Sequence, residues 1–206
     1  MPYWNELVTE KSWQKLLELR QRKISFVLIG GWAAWLYTKS LKSKDIDIMV
    51  SFSELSKLRQ LFDLTKNERL KKYQFRLDEI DVDVYVEHFS LLTIPAEEAM
   101  KETTQIEGFT VVKPEILLVL KQGAEEARQK SEKGLKDRID IIELLLKAGI
   151  NFSEYNKALQ KHGIGQFKQR LIEILQNFSE TKYLNLNPRE FKKKKQQLLR
   201  EIKESR

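Results

Sequence analysis

The stretch ISFVLIGGWAAWLYTKSLKSKDIDIMV, residues 24–50, decides the fold. Ile24 to Ile29 is a short apolar, β-branched run of the kind that forms a buried strand. Gly30 and Gly31 break it, and WAAWLYT (32–38) reads as a helix. After the polar turn KSLKSK a second strand runs over 46–50, with Asp45 and Asp47 at its start. Side chains two apart on a strand share a face, about 6.6–6.8 Å apart along the chain. The glycines let backbone come close to an anion, and the helix that follows offers unpaired N–H groups and the positive end of its dipole.

Outward from this core, Ser53 caps a predicted helix to about Leu64, and strands are expected over 73–77 and 80–86. The last alternates strictly as IDVDVYV. Asp81, Asp83 and Tyr85 therefore share one face, and Val82, Val84 and Val86 the other. A third carboxylate from this strand can lie beside Asp45 and Asp47. Asp83, with valine on both sides, is the favoured one and Asp81 the alternative. Three carboxylates near a phosphate cradle make a hard-oxygen site suited to Mg²⁺, with Mn²⁺ as the other candidate ion. Two such ions about 3.5–4 Å apart would stabilise an in-line displacement at phosphorus.

Beyond Pro95 the texture changes. A short helix (AEEAMKE) and an extended piece (FTVV) lead to Pro114, placed at the first turn of a long helix. Helices are then expected over about 114–130, 135–147, 154–162, 164–178 and 188–204, with a further one in the first twenty residues. The tetrapeptide Asn187-Pro188-Arg189-Glu190 is a strong helix start. The fold class expected is α+β: a small mixed sheet flanked by helices over 1–110, then a helical domain over 111–206 ending in a basic helix.

Composition narrows the chemistry. Of 206 residues, 41% are hydrophobic and 33% charged, enough apolar material for a core and too much for a disordered chain. There is no Cys, which excludes disulfides and thiolate chemistry, and two His cannot by themselves make a zinc site. No apolar run approaches the roughly 20 residues of a spanning helix. The opening MPYWNELVTEK lacks the order of a signal peptide, so a cytoplasmic, soluble protein is expected. The net charge is +7, and five of these charges lie in 189–206, where eight Lys/Arg face three Glu. A nearly neutral body with a basic tail points to a polyanion at the tail.

The residues quoted resemble the nucleotidyltransferase superfamily, which includes polymerase-beta-like and minimal nucleotidyltransferases. Its pattern is an apolar residue, Gly-Gly or Gly-Ser, a spacer of about nine to thirteen residues, Asp-apolar-acidic, and later a carboxylate between apolar residues. Here it reads IGG (29–31), thirteen residues, DIDI (45–48) and VDV (82–84). Gly31 stands where many members carry a Ser that holds the triphosphate. Residues 114–141, PEILLVLKQGAEEARQKSEKGLKDRIDI, are similar to a motif of AbiEii-like toxin-type nucleotidyltransferases. Lys121, Arg128, Lys136, Asp137 and Asp140 fall on its positions.

The resemblance implies Mg²⁺-dependent transfer of a nucleoside monophosphate from an NTP to an acceptor hydroxyl, with release of pyrophosphate. Asp45, Asp47 and Asp83 would hold the metal ions, with Gly30, Gly31 and Lys121 on the phosphates. Lys136, Asp137 and Asp140 would form a structural ion network, since such helical spacings make pairs by default. Trp32 and Trp35 are expected to pack in the core. An RNA end is the favoured acceptor, from the basic tail, with a protein or a small molecule as alternatives. Two other readings stay open: a non-catalytic module of the same fold, such as one partner of a toxin–antitoxin pair, and an RNA-binding protein that uses its tail.

Overall fold

The computed structural model describes residues 3–184 and 186–205, which divide into two compact units, one up to Lys113 and one from Pro114 onward. In the first unit the order is α1 (Glu6–Gln21), β1 (Val27–Ile29), α2 (Gly30–Thr38), β2 (Ile46–Val50), α3 (Phe52–Leu61), β3 (Thr65–Asn67), β4 (Lys72–Leu77), β5 (Ile80–Val86), α4 (Ala96–Ala99), β6 (Thr103–Ile106) and β7 (Phe109–Val112). The strands form one mixed sheet in the order β3-β4-β5-β2-β1-β7-β6. β2 runs parallel to β5 and β1 parallel to β7; the other pairs are antiparallel. The α+β class is as the sequence implies.

Burial follows the alternation. Val82, Val84 and Val86 are buried, while Asp81, Asp83 and Tyr85 are partly exposed on the opposite face. β1 and β2 occupy the middle of the sheet and are almost wholly buried, which is why they read as continuous apolar runs. The tryptophans pack as expected. Trp13 contacts both Trp32 and Trp35, with ring centroids 5.1 and 4.9 Å apart. The buried Trp32 satisfies its indole N–H by donating to Ser12 Oγ at 2.9 Å.

Some boundaries differ from the expectations. β1 spans only 27–29, and α2 begins at Gly30 rather than Trp32. The cap of α3 is Ser51, whose hydroxyl accepts from the Glu54 N–H, not Ser53. Asn151 caps α7 (Phe152–Lys161), its side chain accepting from the N–H groups of Ser153 and Glu154. β3 (TKN) and β6 (TTQI) went unpredicted because both are sheet edges, mostly exposed and polar, with no apolar alternation to mark them.

The second unit is all helix: α5 (Pro114–Ala127), α6 (Glu132–Lys147), α7, α8 (Gln166–Asn177) and α9 (Pro188–Glu204), with a 3₁₀ turn at Thr181–Tyr183. Its core carries polar links as well as apolar ones. The Tyr155 hydroxyl donates to Gln122 Oε1 at 2.6 Å, and Gln122 Nε2 donates to the Phe167 carbonyl at 2.8 Å. Burial pushes the Tyr155 phenol up from its ordinary pKa, so it stays protonated and remains a donor. α9 opens with the expected capping box between Asn187 and Glu190, and buries Phe191, Leu198 and Ile202 as an apolar stripe. Arg206, the last basic residue of the tail, lies outside the described residues. No helix among the described residues is long and apolar enough to cross a membrane.

Candidate active site

The site grows from the junction of β1, α2 and β2. Gly30 ends β1 with φ of +67°, a left-handed conformation that turns the strand directly into α2. Antiparallel pairing of β1 with β2 sets Ile29 opposite Asp47. The Asp47 carboxylate consequently lies over the Gly30 Cα: a Cβ at position 30 would stand 2.2 Å from Asp47 Oδ2. The glycine is required twice, once by its backbone angle and once by the acid packed on it. Asp45 immediately precedes β2, two residues from Asp47.

This geometry has a measurable consequence. Gly30→Ala is expected to destabilise the protein by about 1–3 kcal/mol from the left-handed backbone alone, and by more through the clash with Asp47. Gly163→Ala is the control, because Gly163 has φ of +65° and nothing within 4 Å of a built Cβ. Denaturant unfolding should show the larger loss for position 30. Equal losses would mean that the Asp47 carboxylate moves aside freely.

Parallel pairing of β2 with β5 puts Asp47 level with Asp83. Adjacent strands are about 4.8 Å apart, so two like charges stand side by side, an arrangement that costs stability unless a cation answers it. Asp81 lies two residues earlier and is half exposed, paired with Arg76 Nε at 2.8 Å. The register therefore sets Asp83, and not Asp81, beside Asp47.

Asp83 is held from its other side by β4. Lys72 Nζ donates to Asp83 Oδ2 at 2.5 Å, and Gln74 Nε2 donates to Oδ1 at 2.8 Å. The Lys72 and Asp83 side chains are only 11% and 16% exposed. Among the described residues no group of three or more His, Cys, Asp or Glu side chains is gathered so as to hold a metal ion. The donor chemistry of Asp45 and Asp47 nevertheless fits Mg²⁺, which commonly takes one or two carboxylates and completes its shell with substrate phosphates and water. Neither Lys72 nor Gln74 was singled out from the sequence. A signal was present: KYQFRL alternates, so Lys72, Gln74 and Arg76 share a face, and the hairpin to IDVDVYV brings that face against Asp81 and Asp83.

Lys121 lies in the helical unit, 6% exposed, its ammonium 3.2 Å from Asp137 and 2.7 Å from Asp140. Lys136 donates to Asp140 at 2.6 Å, and Arg128 to Asp137 at 2.7 Å. Burial would push the Asp137 carboxyl up, but Lys121 and Arg128 outweigh it and hold it below the usual carboxylate range. Lys121 thus sits within the ion network expected of Lys136, Asp137 and Asp140, among carboxylates. A second buried acid, Glu125, is held by Arg138 at 2.9 Å and Arg170 at 2.8 Å, a cluster that no sequence pattern announces.

No protein-family model and no curated protein matches this chain. Solved structures do. JHP933 from Helicobacter pylori superposes with a TM-score of 0.51 at 14% identity, covering 97% of this chain and 94% of that one. A structure described as that of a candidate nucleotidyltransferase from H. pylori gives the same score and identity, covering 97% and 98%. At this identity the likeness is one of fold, and the fold of the chain is nucleotidyltransferase-like.

Proposed function

We propose that the protein is a Mg²⁺-dependent nucleotidyltransferase that moves a nucleoside monophosphate from an NTP to an acceptor hydroxyl. The observation that carries this reading is the register of Asp47 between Gly30 and Asp83, which gathers an anion-binding turn and two carboxylates at one level of the sheet. The N–H groups of Gly30 and Gly31, at the start of α2, would receive the β- and γ-phosphates. Asp45 and Asp47 would hold Mg²⁺, which neutralises charge on the phosphates during transfer. Asp83, the neighbour of Asp47, is assigned to the acceptor hydroxyl and takes its proton as oxygen bonds to the α-phosphorus and pyrophosphate leaves. The protein's own contribution is positioning and preorganised charge.

The test is incubation with each α-³²P-labelled NTP and total cellular RNA or protein. Label is expected in one macromolecular pool, with one NTP preferred. A second reading, a module of the same fold that binds without turnover and engages a partner protein as in a toxin–antitoxin pair, draws on Lys72 and Gln74 holding Asp83 and on Gly in place of Ser at position 31. That reading predicts Mg²⁺-dependent NTP binding and no labelled pool.

RNA is the acceptor we favour. The apolar stripe of α9 is buried, while Arg189, Lys192, Lys193 and Lys194 are exposed. Phe191 meets Phe178 edge-on at 5.8 Å, and Lys195 donates to the Gln176 carbonyl. Deleting the helix would uncover this apolar packing, so charge removal is the cleaner probe. Replacing Lys192, Lys193 and Lys194 by Gln should flatten the logarithmic salt dependence of single-stranded RNA binding by up to about 2, at about 0.7 for each phosphate no longer neutralised. The thermal transition should stay where it is. An unchanged salt slope would mean that these lysines do not contact RNA.

A further inference from the structure

The β4 face that grips Asp83 bears on how many metal ions the site takes. Both oxygens of Asp83 accept from β4: Oδ2 from the Lys72 ammonium and Oδ1 from Gln74, which is the cross-strand partner of Asp83 in the ladder. In the sheet β4 and β2 flank β5 on opposite sides. The carboxylate that stands level with Asp47 is therefore committed to the strand on its far side. The ion pair is well shielded, with each side chain less than a fifth exposed, so screening by water and salt is weak. Asp81, the other acid on this face, is paired with Arg76.

We propose that Lys72 is a resident cation of the site, standing in for a second metal ion, so that the protein binds one divalent ion, on Asp45 and Asp47 together with the triphosphate. This rests on the nucleotidyltransferase reading above. Gln74 fixes the rotation of the Asp83 carboxylate, and Lys72 supplies a positive charge at the carboxylate itself. Each Asp83 oxygen keeps lone-pair capacity beyond its bond to β4, which leaves the carboxylate able to meet an acceptor hydroxyl. Lys72 is thus a positioning residue, and its effect is on ion stoichiometry as well as on rate.

The experiment counts Mn²⁺ by electron paramagnetic resonance on the full chain, with a non-hydrolysable α,β-methylene NTP present. Wild type is expected to bind one Mn²⁺ per chain. Lys72→Met, which keeps the aliphatic stem and frees Asp83, is expected to bind two. Two ions on wild type would overturn the proposal, as would one ion on a folded Lys72→Met. Should Lys72→Met fail to fold, the double variant Lys72→Met/Asp83→Asn decides, because it removes the pair without changing net charge. It should keep the single Mn²⁺ with affinity within about threefold of wild type; a loss of tenfold or more would make Asp83 a metal ligand and overturn the proposal. Failure of the underlying reading looks different: no Mn²⁺ or nucleotide binds to any of these proteins, wild type included.

Discussion

Asp47→Asn is expected to lower nucleotidyl transfer by at least 10²–10³-fold, the order of loss seen when one preorganised electrostatic group is removed from a reaction centre. The change is nearly isosteric, so the packing on the Gly30 Cα is kept and the strand-to-helix turn is undisturbed. Only the charge disappears, and with it one of the two carboxylates proposed to hold Mg²⁺. Stability should change far less than rate, because the amide keeps the shape packed on the Gly30 Cα. Rate and thermal midpoint therefore separate in this variant. Asp81→Asn is the internal comparison: its carboxylate is half exposed and answered by Arg76, and transfer should remain close to wild type. Transfer of label at near wild-type rate by Asp47→Asn would remove the carboxylate from the chemistry. A fall in both rate and midpoint would make the effect structural.

What the sequence made legible is what alternation and breaks encode. The central strands were visible because burial on both faces leaves continuous apolar runs, and β5 because its valines and acids take opposite faces. Gly30 was visible as a break, but its reason was not. That reason is the packing of Asp47 on its Cα, fixed by the antiparallel register of β1 with β2 over seventeen residues of separation. Lys72 and Gln74 were legible only through the pairing of KYQFRL with IDVDVYV in a local hairpin, since nothing within KYQFRL alone states that Asp83 will lie opposite. The edge strands were lost for a simpler cause: polar residues that face water carry no period for a reader to follow. In the helical unit, spacing alone announced the Lys136–Asp140 pair at i,i+4. The links from α5 to α6, such as Lys121 to Asp137, depend on how two helices meet, which no local pattern records.

The largest stability effect is expected in that network. Asp137 is 1% exposed and accepts from Arg128 and Lys121. Asp137→Asn keeps the shape and removes the charge, leaving Lys121 and Lys136, both buried, to share the single carboxylate of Asp140. An uncompensated buried charge costs about 3–5 kcal/mol, which the denaturant midpoint would register directly. The companion is Lys121→Met/Asp137→Leu, which takes out both charges and leaves the Lys136–Asp140 pair. Replacing a whole buried pair by apolar groups is often close to neutral, so the double variant should regain most of what the single one loses. Acid adds an independent reading. The Asp137 carboxyl is held below its ordinary range, so the unfolded chain takes up its proton first as pH falls. Its contribution is therefore fully present above about pH 4, the unfolded carboxylate value, and is lost as pH drops further through the folded value. Wild type should show this loss below about pH 4, whereas Asp137→Asn, already without the charge, should show a shallower acid slope. If the two slopes coincide and the single variant costs less than about 1 kcal/mol, Lys121 is satisfied by Asp140 alone and the network does not hold the helices together.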